Sequence, residues 1–235
     1  MDSKLGIIGG MGPMTTAVFI RMIVSMTDVE RDQDHIPMVI EHCPGVPDRT
    51  SYILDKKSPN PSEAIIEAGK SLAAAGATEI AIPCFTAHYF HDILEEHIPI
   101  PVINGIEVVA DQLRKDGVNT AGVMATDGTV AADIFKTALE KKGIRCIYPD
   151  EADQRGVMSL IFDYVKANRI APRELFFEIC DHLRSAGADT VILGCTEFSV
   201  IAESLEYRED ITDAMRLLAA RCIADFDKRI KTDDK

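Results

Sequence analysis

Ala75-Gly76-Ala77-Thr78-Glu79-Ile80-Ala81-Ile82-Pro83-Cys84-Phe85-Thr86 is answered further along the chain by Ala186-Gly187-Ala188-Asp189-Thr190-Val191-Ile192-Leu193-Gly194-Cys195-Thr196. In both stretches a helical pattern closes on Ala-Gly-Ala and a short apolar run follows. A cysteine with a threonine near it then stands at the run's carboxyl end. Glycine past a helix end supplies the left-handed C′ position, and a brief apolar run bounded by turn residues reads as a buried strand. The opening Gly6-Ile7-Ile8-Gly9-Gly10-Met11-Gly12 is echoed more weakly by Gly122-Val123-Met124-Ala125-Thr126-Asp127-Gly128, at a similar offset. Two similar halves are the consequence.

Working outward, short β-branched runs alternate with longer helical patterns, as in stacked βα units on a mainly parallel sheet. Strands are expected at Leu5–Ile8, Pro37–Glu41, Glu79–Ile82, Val102–Ile103, Thr120–Met124, Arg145–Tyr148 and Thr190–Leu193. Helices are expected at Pro13–Met26, Pro61–Ala75, Val108–Lys115, Val130–Lys142, Gln154–Ala167, Pro172–Ser185 and Asp213–Arg229. The fold class is therefore α/β, with two similar domains of mainly parallel sheet; if a pseudo-twofold axis relates them, the active site lies in a cleft between the two. The first domain covers residues 1–103 and the second 104–210, with a C-terminal helix at 211–235 packing back on the first. In open parallel sheets, ligands sit outside the carboxyl ends of the strands. Cys84 and Cys195 occupy that edge, so the two halves can present one thiol to each side of a single bound molecule.

The 235 residues carry a formal charge of -13, which disfavours a nucleic-acid partner, since such proteins need a basic face. With 46% hydrophobic and 27% charged residues the chain has the composition of a folded globular protein. A small anionic ligand would need local cations to offset the global repulsion. No apolar run approaches the ~20 residues that span a bilayer, and the opening Met1-Asp2-Ser3-Lys4 lacks the apolar region of a signal peptide. A cytoplasmic protein with no membrane partner is expected.

Six cysteines lie at 43, 84, 146, 180, 195 and 222 without C-x-x-C pairing, which suggests free thiols rather than a zinc ribbon or a disulfide scaffold. Cys43, Cys146, Cys180 and Cys222 read as small buried hydrophobes. Cys84 and Cys195 differ because each ends an apolar strand at a Pro or Gly turn. A thiol with a pKa near 8.5 is partly ionised at neutral pH, and a helix N-terminus can lower it into the range of a general base. One thiolate and one thiol would remove a proton from one face of a carbon and return it to the other. Gly9-Gly10-Met11-Gly12-Pro13 is a weak match to a dinucleotide fingerprint, because Thr15 takes the third glycine position and no acidic residue ends a second strand. A turn that brings backbone N–H groups to a carboxylate is the more economical account. His88 and His35 lack partners at catalytic or metal-ligand spacing, and a structural role is expected of both. Arg49 and Lys166 remain undecided on local pattern alone.

The motifs together resemble the pyridoxal-phosphate-independent aspartate/glutamate racemase family, closest to its aspartate racemase branch. The resemblance rests on Gly6-Ile7-Ile8-Gly9-Gly10-Met11-Gly12-Pro13, Asp32-Gln33-Asp34-His35-Ile36-Pro37, Pro47-Asp48-Arg49-Thr50, Ile82-Pro83-Cys84-Phe85-Thr86-Ala87-His88, Ala125-Thr126-Asp127-Gly128-Thr129 and Leu193-Gly194-Cys195-Thr196-Glu197. Glutamate racemases usually open with Asp-Ser-Gly, which is absent.

The resemblance implies an isomerase without cofactor or metal that racemises an acidic amino acid, L-aspartate to D-aspartate first, and a homodimer. Its alternatives are a broad-specificity amino-acid racemase or a catalytically impaired binding relative. By motif position it carries catalysis onto Cys84 and Cys195, and carboxylate binding onto Arg49 and Lys166. Met11, Phe85, Thr86, Thr126, Thr129, Thr196 and Glu197 would line the pocket. The family usually has Asn where this chain has Phe85. A ring there is expected to wall the site beside Cys84, and Phe85→Asn is expected to preserve the fold. The segment Ser204–Asp210 is more charged than the family leads one to expect before its last helix.

Overall fold

The computed structural model describes residues 3–203 and 208–231. Part of the charged segment Ser204–Asp210 and the end of the C-terminal region 211–235 lie outside the described residues. The first half comprises β1 (Leu5–Gly9), α1 (Pro13–Met26), β2 (Met38–His42), α2 (Arg49–Leu54), α3 (Ser62–Ala74), β3 (Glu79–Ala81), α4 (His91–His97) and α5 (Gly105–Lys115). The second half continues with β4 (Thr120–Met124), α6 (Asp127–Ala131), α7 (Ile134–Lys141), β5 (Arg145–Ile147), α8 (Glu151–Ser159), α9 (Arg173–Ser185), β6 (Thr190–Leu193), α10 (Thr196–Ala202), β7 (Ile211–Asp213) and α11 (Ala214–Asp225).

Both sheets are parallel, ordered β2-β1-β3 and β5-β4-β6-β7, so the echoed segments occupy equivalent places beside a central strand. Leu5 stands opposite Met38 and Glu79, and Ala121 opposite Cys146 and Thr190. This is the two-part α/β architecture that the repeats imply. The helix-ending glycines Gly76, Gly143 and Gly187 take φ of 89°, 75° and 98°.

Three local expectations are corrected. Val102–Ile103 forms no strand and gives only an isolated bridge from Val102 to Ile80. The helix expected over Val130–Lys142 is broken between α6 and α7 by Asp133 at φ 49°, a left-handed position that Asp tolerates without the signal of a glycine. The pattern over Gln154–Ala167 is α8 followed by a π-helical turn, Leu160–Val165. The short elements α2, α10 and β7 were not expected, because each spans too few residues to show a hydrophobic period.

One apolar cluster fills the space between the sheets, joining Leu5, Ile7 and Phe19 of the first half to Val123, Phe135 and Ile192 of the second. Separate clusters back the outer faces, one around Ile65, Leu72 and Ile80, the other around Leu160, Phe176 and Leu193. Helix α11 packs against both α1 and α5. Gly128 permits the approach of the halves at the cleft, because a Cβ there would come within 2.8 Å of the Thr50 Cα. Among the described residues, no helix is long and apolar enough to cross a membrane.

Candidate active site

Cys84 follows β3 and precedes a 3₁₀ segment, Phe85–Phe90, while Cys195 follows β6 and takes the N-cap position of α10. Strand ends on a shared edge therefore bring both thiols to one small cavity, about 10 Å³, also lined by Met11, Arg49, Lys166 and Glu197. That is room for about one water.

Arg49 begins α2, whose N-cap Asp48 accepts the Ser51 N–H at 2.7 Å. Arg49 is 8% exposed, and its guanidinium donates to the carbonyls of Val46 at 3.3 Å, Pro47 at 3.1 Å and Met11 at 3.5 Å. Nε is buried with no protein partner. Burial opposes its charge, but the adjacent Cys84 and Asp48, with Glu197, hold it protonated and raise its pKa above the ordinary arginine value. Lys166 leaves the π turn and meets Glu197 Oε1 at 2.8 Å. Burial opposes that charge as well, and Glu197 and Cys195 more than offset it.

Glu197 is 2% exposed, and its second oxygen, Oε2, accepts the Cys195 thiol at 2.8 Å and the Thr196 hydroxyl at 3.4 Å. Burial first, and then this carboxylate, push the Cys195 thiol well above its ordinary pKa, with Lys166 opposing. The expectation that a helix N-terminus lowers the thiol is reversed at this position, since desolvation and a neighbouring anion both favour S–H.

Thr86, Thr126 and Thr129 form a closed ring of hydroxyls, each 3.1 Å from the next, that ties the Cys84 turn to the start of α6. Thr86, Thr126 and Thr196 line the cavity, whereas fully buried Thr129 stands behind the first two. Phe85 borders the cavity, but its ring packs on Phe135 (centroids 5.8 Å apart) and His88 (5.6 Å) within the central core. Phe85 thus stands beside Cys84 at the cavity, as expected, while most of its ring is committed to the central core. Phe162 went unnoticed in the sequence; its ring lies 5.6 Å from Lys166 Nζ. Its i,i+4 spacing to Lys166 was the available signal.

His88 supports the Cys84 turn from behind, with Nε2 3.3 Å from the Ile82 carbonyl. Burial chiefly, then nearby His91, lowers its pKa to about 4, against the Ile82 contact. Between pH 6.5 and about 4 the unfolded chain binds a proton there that the folded chain refuses, so stability present above pH 6.5 falls by about 3 kcal/mol across that window. Urea unfolding at stepped pH should show this slope, and His88→Gln should flatten it. Equal slopes in the two proteins would remove His88 as the cause.

Paired parallel sheets that bring two strand-end thiols, the buried Arg49 and the more exposed Lys166 to one cavity fit an amino-acid racemase, an isomerase. The chain belongs to the Asp/Glu/hydantoin racemase family, whose model matches residues 8–222. It is 34% identical to the aspartate racemase of Picrophilus torridus, with a TM-score of 0.85 over 97% of this chain and 96% of that one. The broad specificity amino-acid racemase RacX of Bacillus subtilis (strain 168) is 24% identical over 228 residues, 94% of this chain and 97% of the relative. A glutamate racemase from Francisella tularensis subsp. tularensis SCHU S4, solved with D-glutamate, shares the fold at a TM-score of 0.66 and 20% identity, covering 95% of this chain and 80% of that one.

Proposed function

We propose that this racemase interconverts the enantiomers of an acidic amino acid, aspartate first, with Cys84 and Cys195 as the two acid/base groups. The observation that carries the reading is the convergence of both thiols, Arg49 and Lys166 on one closed cavity. A thiolate on one face takes the α-proton, the electron pair passes into the α-carboxylate, and the opposite thiol protonates the carbon. The proton count is conserved, and the next turnover starts with the roles exchanged. Backbone N–H groups beside the cysteines and the hydroxyls of Thr86, Thr126 and Thr196 receive the α-carboxylate, where fixed donors stabilise the developing charge. Arg49 and Lys166 hold the distal carboxylate, which displaces Glu197 from Lys166.

A space of about 10 Å³ cannot contain aspartate, so binding requires the two halves to open and reclose. The aspartate assignment draws support from the 34% identical aspartate racemase and from the two cations. The reading carries with it a homodimer and a reducing cytoplasmic setting, in which the cysteines stay free as they are here. A binding relative without turnover is disfavoured by the presence of both thiols in one cavity.

Proton NMR of L- and D-aspartate in heavy water, with reduced protein and no added cofactor, tests the reading. Loss of the α-proton signal from both enantiomers is expected; persistence of both signals would refute it. In the same assay Arg49→Ala should lower kcat/KM for aspartate about tenfold to hundredfold, the worth of a lost charge-assisted hydrogen bond of roughly 1.5–3 kcal/mol, and affect alanine much less. Equal losses on the two substrates would move Arg49 away from the distal carboxylate.

A further inference from the structure

Thr86, Thr126 and Thr129 bring one hydroxyl proton each to three contacts, so the ring closes only if every hydroxyl donates once and accepts once. The Thr129 hydroxyl donates to Thr86 Oγ1 at 3.1 Å. The other two directions follow from it: Thr86 donates to Thr126, and Thr126 donates to Thr129, each at 3.1 Å. Thr126 Oγ1 also accepts the Thr129 backbone N–H at 3.3 Å, as the N-cap of α6.

Thr86 and Thr126 line the cavity between the thiols, whereas Thr129 is fully buried outside its lining. A carboxylate only accepts, so one that enters the cavity takes the protons of Thr86 and Thr126 and breaks the two links those protons made. Thr129 keeps both oxygens supplied, because its hydroxyl still donates to Thr86 and its N–H to Thr126. Donation into a hydroxyl oxygen strengthens that hydroxyl as a donor in turn. Thr86 follows Cys84 in the first half, while Thr126 and Thr129 open α6 in the second, so this alignment exists only with the halves closed.

We propose that Thr129 is a positioning residue for the reaction. It does not touch substrate, but it turns the protons of Thr86 and Thr126 together toward the α-carboxylate, where charge gathers as the α-proton leaves. The inference rests on the racemase reading and on the placement of the α-carboxylate at these threonines. Without the Thr129 hydroxyl, Thr86 Oγ1 recruits Thr126, 3.1 Å away, as its donor. One of the two protons is then withdrawn from the carboxylate. The backbone N–H survives any substitution, so a side-chain change isolates the hydroxyl.

The test compares Thr129→Val, which exchanges the hydroxyl for a methyl group, with the wild-type protein in α-proton exchange of L- and D-aspartate in heavy water. The value of kcat should fall about tenfold to hundredfold, the worth of one hydrogen bond to a charged group, with KM nearly unchanged, because the contact strengthens as charge develops. Thr129→Ser, which keeps the hydroxyl, should recover most of that loss. Thr129→Ala against Thr129→Ser repeats the comparison without the methyl group, and it gives the answer if the Val variant does not fold. A merely structural role would lower the melting temperature of the Val variant and leave kcat per folded molecule near the wild-type value. That result, or a Ser variant as slow as the Ala variant, would overturn the inference and leave the racemase reading standing. No exchange by the wild-type protein would overturn both.

Discussion

Replacing Cys195 or Cys84 by serine should lower racemisation of aspartate by about 10²–10⁴-fold, the usual worth of a positioned acid/base group. The cycle needs a base on one face of the carbon and an acid on the other, and an alcohol is too weak an acid to be stored as its conjugate base. The two variants should nevertheless fail differently. Cys195 donates to Glu197 at 2.8 Å and is held as a thiol, so its loss removes a proton donor from the resting protein. The Cys195→Ser protein keeps Cys84 beside Arg49, and α-deuterium wash-in from the enantiomer whose proton faces Cys84 can survive even though net inversion is lost. Polarimetry for net inversion and NMR for exchange would separate these outcomes. Racemisation near the wild-type rate in either serine variant would sink the two-thiol assignment.

Phe85→Asn should destabilise the protein by about 3–5 kcal/mol, because the ring belongs to the central core. Phe85 is 1% exposed and touches Phe135 of the second half, so removing it opens a void between the sheets. An amide in that void also lacks hydrogen-bond partners, which adds to the cost. At about 2–4 °C per kcal/mol for a chain of this size, the melting temperature should fall by about 6–20 °C. Phe85→Leu keeps most of the apolar volume and should lose less than about half as much. Calorimetry on the three proteins decides; an unchanged melting temperature for the Asn variant would show that the ring is replaceable and return Phe85 to the substrate side.

These two predictions mark where the sequence was legible and where it was not. The echo around Cys84 and Cys195 reports periodicity, strand length and C′ glycines, all local properties, and from them follow the two parallel-sheet halves and the shared edge, but not the order of the strands. The direction of the Phe85 ring depends on Phe135, Gly105 and His88, residues distant in the chain or on a different turn, and no local pattern encodes it. Lys166 and Glu197 were both named as cleft residues from their motifs, yet their pairing depends on a π turn that an ordinary helical period conceals. Asp133 broke a helix that its apolar spacing would have continued, since a left-handed aspartate carries no signature in a single sequence.

The unequal surroundings of the two thiols have a thermodynamic consequence. Mirror-image amino acids have identical free energies in water, so the equilibrium constant of racemisation is one. The ratio of forward to reverse kcat/KM is fixed at that value whatever the protein does. The carboxylate of Glu197 against Cys195 alone cannot make the protein favour either product. It can only redistribute the same barrier between binding and turnover, so that one enantiomer is held more tightly and released more slowly. Progress curves begun from opposite enantiomers should therefore differ in their early saturation, converge on the same racemic mixture, and share one initial slope at low concentration.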